Sequence, residues 1–185
     1  MKKKVIYSII IVSVIIILSV AVTYAVYTFS GVVNISGTSE CFDVNYVKGQ
    51  DIGSDSNPAK FVLANNYTEG LSSVIKVNLK DTCTITNGTG TLYLNTDTSV
   101  TSSTILSGKV LKYQVLDGTT SVGSGIVSSA ESIEIYKDIP ITTTVKTITV
   151  YIWLDGNLVT EQNQNEILSS VYKGHISMDI KSGDK

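Results

Sequence analysis

Within residues 147–154 the even positions, Ile148, Val150, Ile152 and Leu154, are all aliphatic, while the odd ones hold Thr147, Thr149, Tyr151 and Trp153. Side chains that alternate in character every second residue suit a strand with one buried face and do not suit a helix, whose period is 3.6. The pattern stops at Asp155-Gly156, a turn pair. The same plan recurs at 109–116, with Leu111, Tyr113 and Val115 on one face before Asp117-Gly118. It recurs again at 74–79, through Ile75, Val77 and Leu79, and at 174–181, through Ile176, Met178 and Ile180. Segments 91–95 and 132–136 read likewise, as do 31–36, 42–47 and 60–64 nearer the start. Gly88-Thr89-Gly90 and Gly123-Ser124-Gly125 read as turns, and 166–171 as the one short helical turn. About nine short strands with Gly/Ser/Thr/Asn turns predict an all-β fold, an antiparallel β-sandwich of jelly-roll-like or immunoglobulin-like kind. Trp153 follows Cys41 and Cys83 instead of lying between them, which is not the immunoglobulin order.

The first thirty residues obey a different rule. Lys2, Lys3 and Lys4 precede an uncharged run that extends past Phe29. A helix over 5–29 would rise about 37 Å, against a hydrocarbon core of about 30 Å. The basic flank predicts a cytoplasmic N-terminus and an exported remainder. The organisation expected is a basic flank at 1–4, a signal or transmembrane helix at 5–25 and an exported β-sandwich domain at 26–185. Two fates stay open for the leader. Small residues near Thr23, Tyr24 and Ala25 suit cleavage, and the length of the apolar run suits a retained anchor.

Composition limits the partners of the exported part. Every basic residue is lysine, and removing the first three leaves eleven lysines against sixteen acids, a net charge of −5. An acidic domain without arginine is a poor match for a phosphate backbone, so no nucleic-acid partner is expected. About 160 residues suffice for a single core. Cys41 and Cys83 are the only cysteines and both fall on the exported side, where a disulfide is the expected fate. Closing a loop of that size would contribute about 4 kcal/mol in the chain-entropy view.

Site chemistry is sparse. His175 is the single histidine, so the paired histidines of a zinc protease helix cannot be assembled. No Gly-x-Ser-x-Gly elbow is present, and the scattered acids form no defined glycosidase pair. Asp51, Asp55 and Asn57 gather oxygen ligands in one loop, yet lack the order of a calcium-binding loop and its distal glutamate. No catalytic residue, metal site or cofactor is predicted.

The string Leu18-Ser19-Val20-Ala21-Val22-Thr23-Tyr24-Ala25-Val26-Tyr27 resembles the leader of the TasA/camelysin group of Gram-positive exported proteins. Leaders of that group end in a Thr-aromatic-Ala motif cut by a SipW-type signal peptidase, which would make Thr23, Tyr24 and Ala25 the processing site. Ala21 and Val22 stand where the group usually has a glycine pair, and the aspartate expected soon after is missing. Segments 150–157 and 172–177 are similar to the ends of exported proteins with this leader type. The resemblance covers the first thirty residues and, loosely, the last forty. It implies a jelly-roll sandwich and a structural role outside the cell, and no residue here carries over a peptidase activity.

Two functions follow as expectations. The first is a cell-surface or matrix protein that associates with its own kind into a homo-oligomer or fibre. Its sequence basis is the extended segment holding Tyr27, Phe29, Val33 and Ile35 on one face, which suits either an ordinary first strand docked in its own sandwich or strand addition to a neighbouring sheet. The second is a membrane-anchored adhesive module with glycan as ligand, using Tyr151 and Trp153 for stacking on sugar rings. Burial of those two rings favours the structural reading, and exposure favours glycan.

Overall fold

The computed structural model describes residues 26–36, 43–48, 59–60, 63–81 and 85–183. Among these described residues, eleven strands form two sheets. They are β1 Val26–Ser36, β2 Val44–Val47, β3 Ala59–Lys60, β4 Leu63–Ala64, β5 Leu71–Leu79, β6 Asn87–Thr96, β7 Leu111–Asp117, β8 Thr120–Ile126, β9 Ser132–Thr142, β10 Lys146–Asp155 and β11 Val171–Ser182. One sheet runs β3-β1-β11-β6-β9 and the other β2-β5-β10-β7-β8, with β4 beside β10. Two five-residue helices, α1 Ser103–Ser107 and α2 Gln164–Leu168, join strands at one end. The all-β sandwich expected from the alternation is the fold observed.

Alternation places the core. Ile148, Val150, Ile152 and Leu154 of β10 are buried, as are Ile75, Val77 and Leu79 of β5 and Leu111, Tyr113 and Val115 of β7. From the other sheet come Leu92 and Leu94 of β6, Ile139 and Ile141 of β9, and Ile176, Met178 and Ile180 of β11. Each such side chain contributes about 1.5–3 kcal/mol when fully buried. Ile105 and Leu106 of α1 and Ile167 of α2 close one end of this layer.

Several sequence expectations are corrected here. Gly88-Thr89-Gly90 is not a turn but the start of β6, and Gly123-Ser124-Gly125 lies within β8. In β8 the glycine serves close approach, because a Cβ on Gly123 would stand 2.2 Å from the Ile135 carbonyl oxygen. The sandwich is not wholly antiparallel, since β1 runs parallel to β11 and β4 parallel to β10. Strand β1 begins at Val26, so a leader helix cannot continue to Phe29. Helix α1 was not foreseen; five residues are too few to show a helical period.

Candidate functional site

Strand β1 is the first candidate. Its eleven residues pair in parallel with β11, from Val26 beside Val171 to Ser36 beside Lys181. The register sets Tyr27, Phe29, Val33 and Ile35 beside Tyr172, Gly174, Met178 and Ile180, all buried positions. Neighbouring residues of a parallel pair share a face, so the apolar alternation of β1 is in phase with the core face of β11. On its other side, among the described residues, β1 meets β3 only at Val26 and Tyr27. Thr23, Tyr24 and Ala25 lie outside the described residues, immediately before the strand.

The second candidate lies on the outer face of β10. Tyr151 is half-buried, and Trp153 keeps only 8 % of its surface exposed, although its place in the alternation points it away from the core. Tyr67, in the short 3-10 turn Tyr67–Glu69, stands over both rings. Its centroid is 5.1 Å from that of Tyr151 at an interplanar angle of 67°, and 6.5 Å from that of Trp153. Edge-to-face geometry of this kind is favourable between aromatic rings. The turn is held rigidly: Asn66 Oδ1 accepts from the Thr68 amide at 2.9 Å, and Glu69 accepts from the Asn65 amide at 3.1 Å and from Asn66 Nδ2 at 2.6 Å. Gly70 then lets the chain press against β10, where a Cβ would come within 2.8 Å of Trp153 Cβ. Trp153 Nε1 is buried without a hydrogen-bond partner among the described residues. Trp153 is therefore no open stacking platform, and the half-exposed pair on this face is Tyr67 with Tyr151. Sequence reasoning missed Tyr67, because a lone tyrosine beside Asn66 gives no sign of the distant strand it covers.

Beside Trp153 in the register stands Lys112, whose ammonium is paired with Asp155. Asp155 is buried and also accepts from the Asn157 amide and from Asn157 Nδ2, each at 3.0 Å. The Lys112 hydrogen bond, with those from Asn157, holds the Asp155 carboxyl below the usual carboxylate range against the opposing effect of burial. The arrangement orders the end of β10.

Elsewhere, His175 lies on the outer face of β11 between Ser30 and Asn95 in the register and is partly exposed. Nearby Asp97 is held below its ordinary range chiefly by the Ser99 hydroxyl at 2.5 Å, with Lys173 and His175 adding to the effect. Among the described residues no group of three or more His, Cys, Asp or Glu could hold a metal ion. Asp51, Asp55, Asn57, Cys41 and Cys83 fall outside the described residues. The segments flanking the cysteines do meet. The Lys80 amide donates to the Asp43 carbonyl at 2.9 Å, and Lys80 Nζ reaches Asp43 Oδ2 at 2.7 Å. Next to this pair, Asn45, Asn78, Lys80, Asp81 and Thr143 line a polar depression of about 590 Å³.

No protein-family model and no curated protein matches the chain. Among solved structures it is similar to the family 32 carbohydrate-binding module from Streptococcus pneumoniae EndoD, with 13% identity and a TM-score of 0.26. That match covers 65% of this chain and 78% of the module. A likeness at this level transfers neither topology nor ligand.

Proposed function

We propose that this chain is an exported structural protein of the cell surface or extracellular matrix, and that copies associate by exchanging strand β1. The observation that carries the reading is the in-phase parallel ladder between β1 and β11. Taken as eight strands, β1 and β5–β11 follow the sheet order of a jelly roll, with the first strand beside the last. The departure is direction: a first strand in that architecture runs antiparallel to the last, and β1 runs parallel. A first strand added in this sense owes its place to the long ladder with β11 and two residues of β3, not to a hairpin, so the same ladder can be filled by a second copy. Its sequence has no charge or proline to blunt the edge, whereas edge strand β9 carries Pro140 and a left-handed Asp138 at φ 53°. The resemblance of the leader to the TasA group and the burial of Trp153 support the same reading. Catalysis has no part in it.

The test is Phe29→Asp, followed by sedimentation and thermal melting. Exchange predicts that the variant stays monomeric where wild type assembles. Normal assembly of the variant would overturn the reading. So would a wild type that never assembles.

A second reading, a membrane-anchored adhesive module, draws on the half-exposed Tyr67–Tyr151 corner. Aromatic rings at this angle suit a sugar ring flanked by hydroxyl partners. Tyr67→Ala with Tyr151→Ala would then abolish retention on an insoluble cell-wall glycan column while leaving assembly intact.

A further inference from the structure

We propose that in the full-length chain the end of the sandwich built from the turn 97–102, helix α1 and the connection 128–131 rests against the lipid headgroups of the membrane. The opposite end, with its polar depression, then points away from the cell. The inference rests on the retained-anchor fate of residues 5–25.

The entry point of the chain fixes which end this is. Val26 opens β1 beside Val171. The Ser102 amide donates to the Val171 carbonyl at 2.8 Å, and the Val171 amide donates to Ser102 Oγ at 2.9 Å. One turn further on, the Lys173 amide donates to Thr101 Oγ1 at 3.1 Å, and the Asp97 amide donates to the Lys173 carbonyl at 2.9 Å. The Thr96 amide reaches the Glu131 carbonyl at 2.8 Å. The leader therefore joins the domain at the end where these segments meet.

Tether length decides how close that end must lie. The anchor expected at 5–25 ends directly before Val26; counted from the end of its aliphatic run at Val22, only Thr23, Tyr24 and Ala25 intervene before β1. Three extended residues span at most about 10 Å. The polar headgroup layer on each side of the hydrocarbon is about 5–7 Å thick. Even fully extended, that tether would leave the domain no more than about 5 Å beyond the headgroups.

The chemistry of this end suits such contact. Residues 98–108 carry no charge. Val100, at the tip of the turn, is 49% exposed. Thr98, Thr101, Ser103, Ser107 and Ser129, with Leu106, line a cavity of about 300 Å³; Thr101 and Ser107 bond to neighbouring carbonyls, and the hydroxyls of Thr98, Ser103 and Ser129 suit phosphate and ester oxygens. Asp97 and Glu131 stand next to the lining residues Thr98 and Ser129 along the chain, so anionic lipid adds no attraction and the surface expected is zwitterionic. At the far end Asp43, Lys80 and Asp81 are exposed.

The experiment reconstitutes the full chain into phosphatidylcholine vesicles that carry a nitroxide on part of the choline headgroups. A single tryptophan is added by Val100→Trp or, as the far-end control, by Thr143→Trp; buried Trp153 supplies a constant background. Ser107→Trp reads the same near surface should Val100→Trp fail to fold. The expected result is loss of most of the added fluorescence for Val100→Trp and none for Thr143→Trp. A floating chain whose near-end tryptophan is unquenched, or whose two positions are quenched alike, overturns the inference alone. A chain that does not float with the vesicles overturns the anchor reading and the inference with it.

Discussion

At Gly123 the two sheets meet so closely that no side chain fits, with the Ile135 carbonyl oxygen 2.2 Å from where a Cβ would sit. Gly123→Ala should therefore cost about 1–3 kcal/mol, read as a lower denaturant midpoint with unchanged slope. Ile152 is a cavity-forming site of the opposite kind: Ile152→Ala should cost about 2–5 kcal/mol, and the outward Thr149→Ala far less. Asp155 governs the acid limb. Its folded pKa lies below the unfolded value of about 3.9. The stabilisation from its pairing is thus complete above that value and is lost as pH falls through the folded one. Urea midpoints for wild type should hold from neutral pH down to about pH 5 and then fall with further acidification, and Asp155→Asn should start lower and show a shallower drop. Parallel pH curves for the two proteins would contradict this role.

Between elements, the sheets are latched at one edge by Asp117, which accepts from Tyr136 Oη of β9 at 3.0 Å and from Lys146 Nζ of β10 at 2.7 Å. Burial and the neighbouring Asp117 push the Tyr136 hydroxyl up to about 12. Tyr136→Phe should cost about 0.5–1.5 kcal/mol in a denaturant titration, and a neutral result would mean the latch is idle. Strands β10 and β8 illustrate what the sequence reveals. The β10 alternation was plain, because one aliphatic face over eight residues admits no other period. Strand β8 was hidden, because glycines that serve inter-sheet approach look like glycines that serve a turn. Register between distant strands leaves no local mark either, so neither the parallel sense of β1 nor the cover of Trp153 by Tyr67 could be read in advance. The Cys41–Cys83 pairing is a prediction at this same scale. Asp43 and Lys80 are paired, and the two cysteines stand two and three residues beyond them along the chain. Intact mass after thiol blocking without reductant should show no alkylation, and two labels would refute the bond.

At the scale of the whole molecule, strand β1 is, under the proposed exchange, the link between the leader, the sandwich and neighbouring copies. Its first residue follows the Thr23-Tyr24-Ala25 site directly, so cutting there would free a strand end, and leaving it uncut would hold that end at the membrane. Both fates use one ladder, with β1 set beside β11 in a single register. The most direct measurement mixes two single-cysteine additions, Val32→Cys in one population and Ser177→Cys in the other, residues that stand side by side in that ladder. Adjacent strands lie about 4.8 Å apart, within disulfide reach. Oxidation after assembly, followed by peptide mapping, should give a covalent link between position 32 of one copy and position 177 of another. If the double variant in one chain links internally and the mixed population yields no such peptide, β1 stays at home and strand exchange is contradicted.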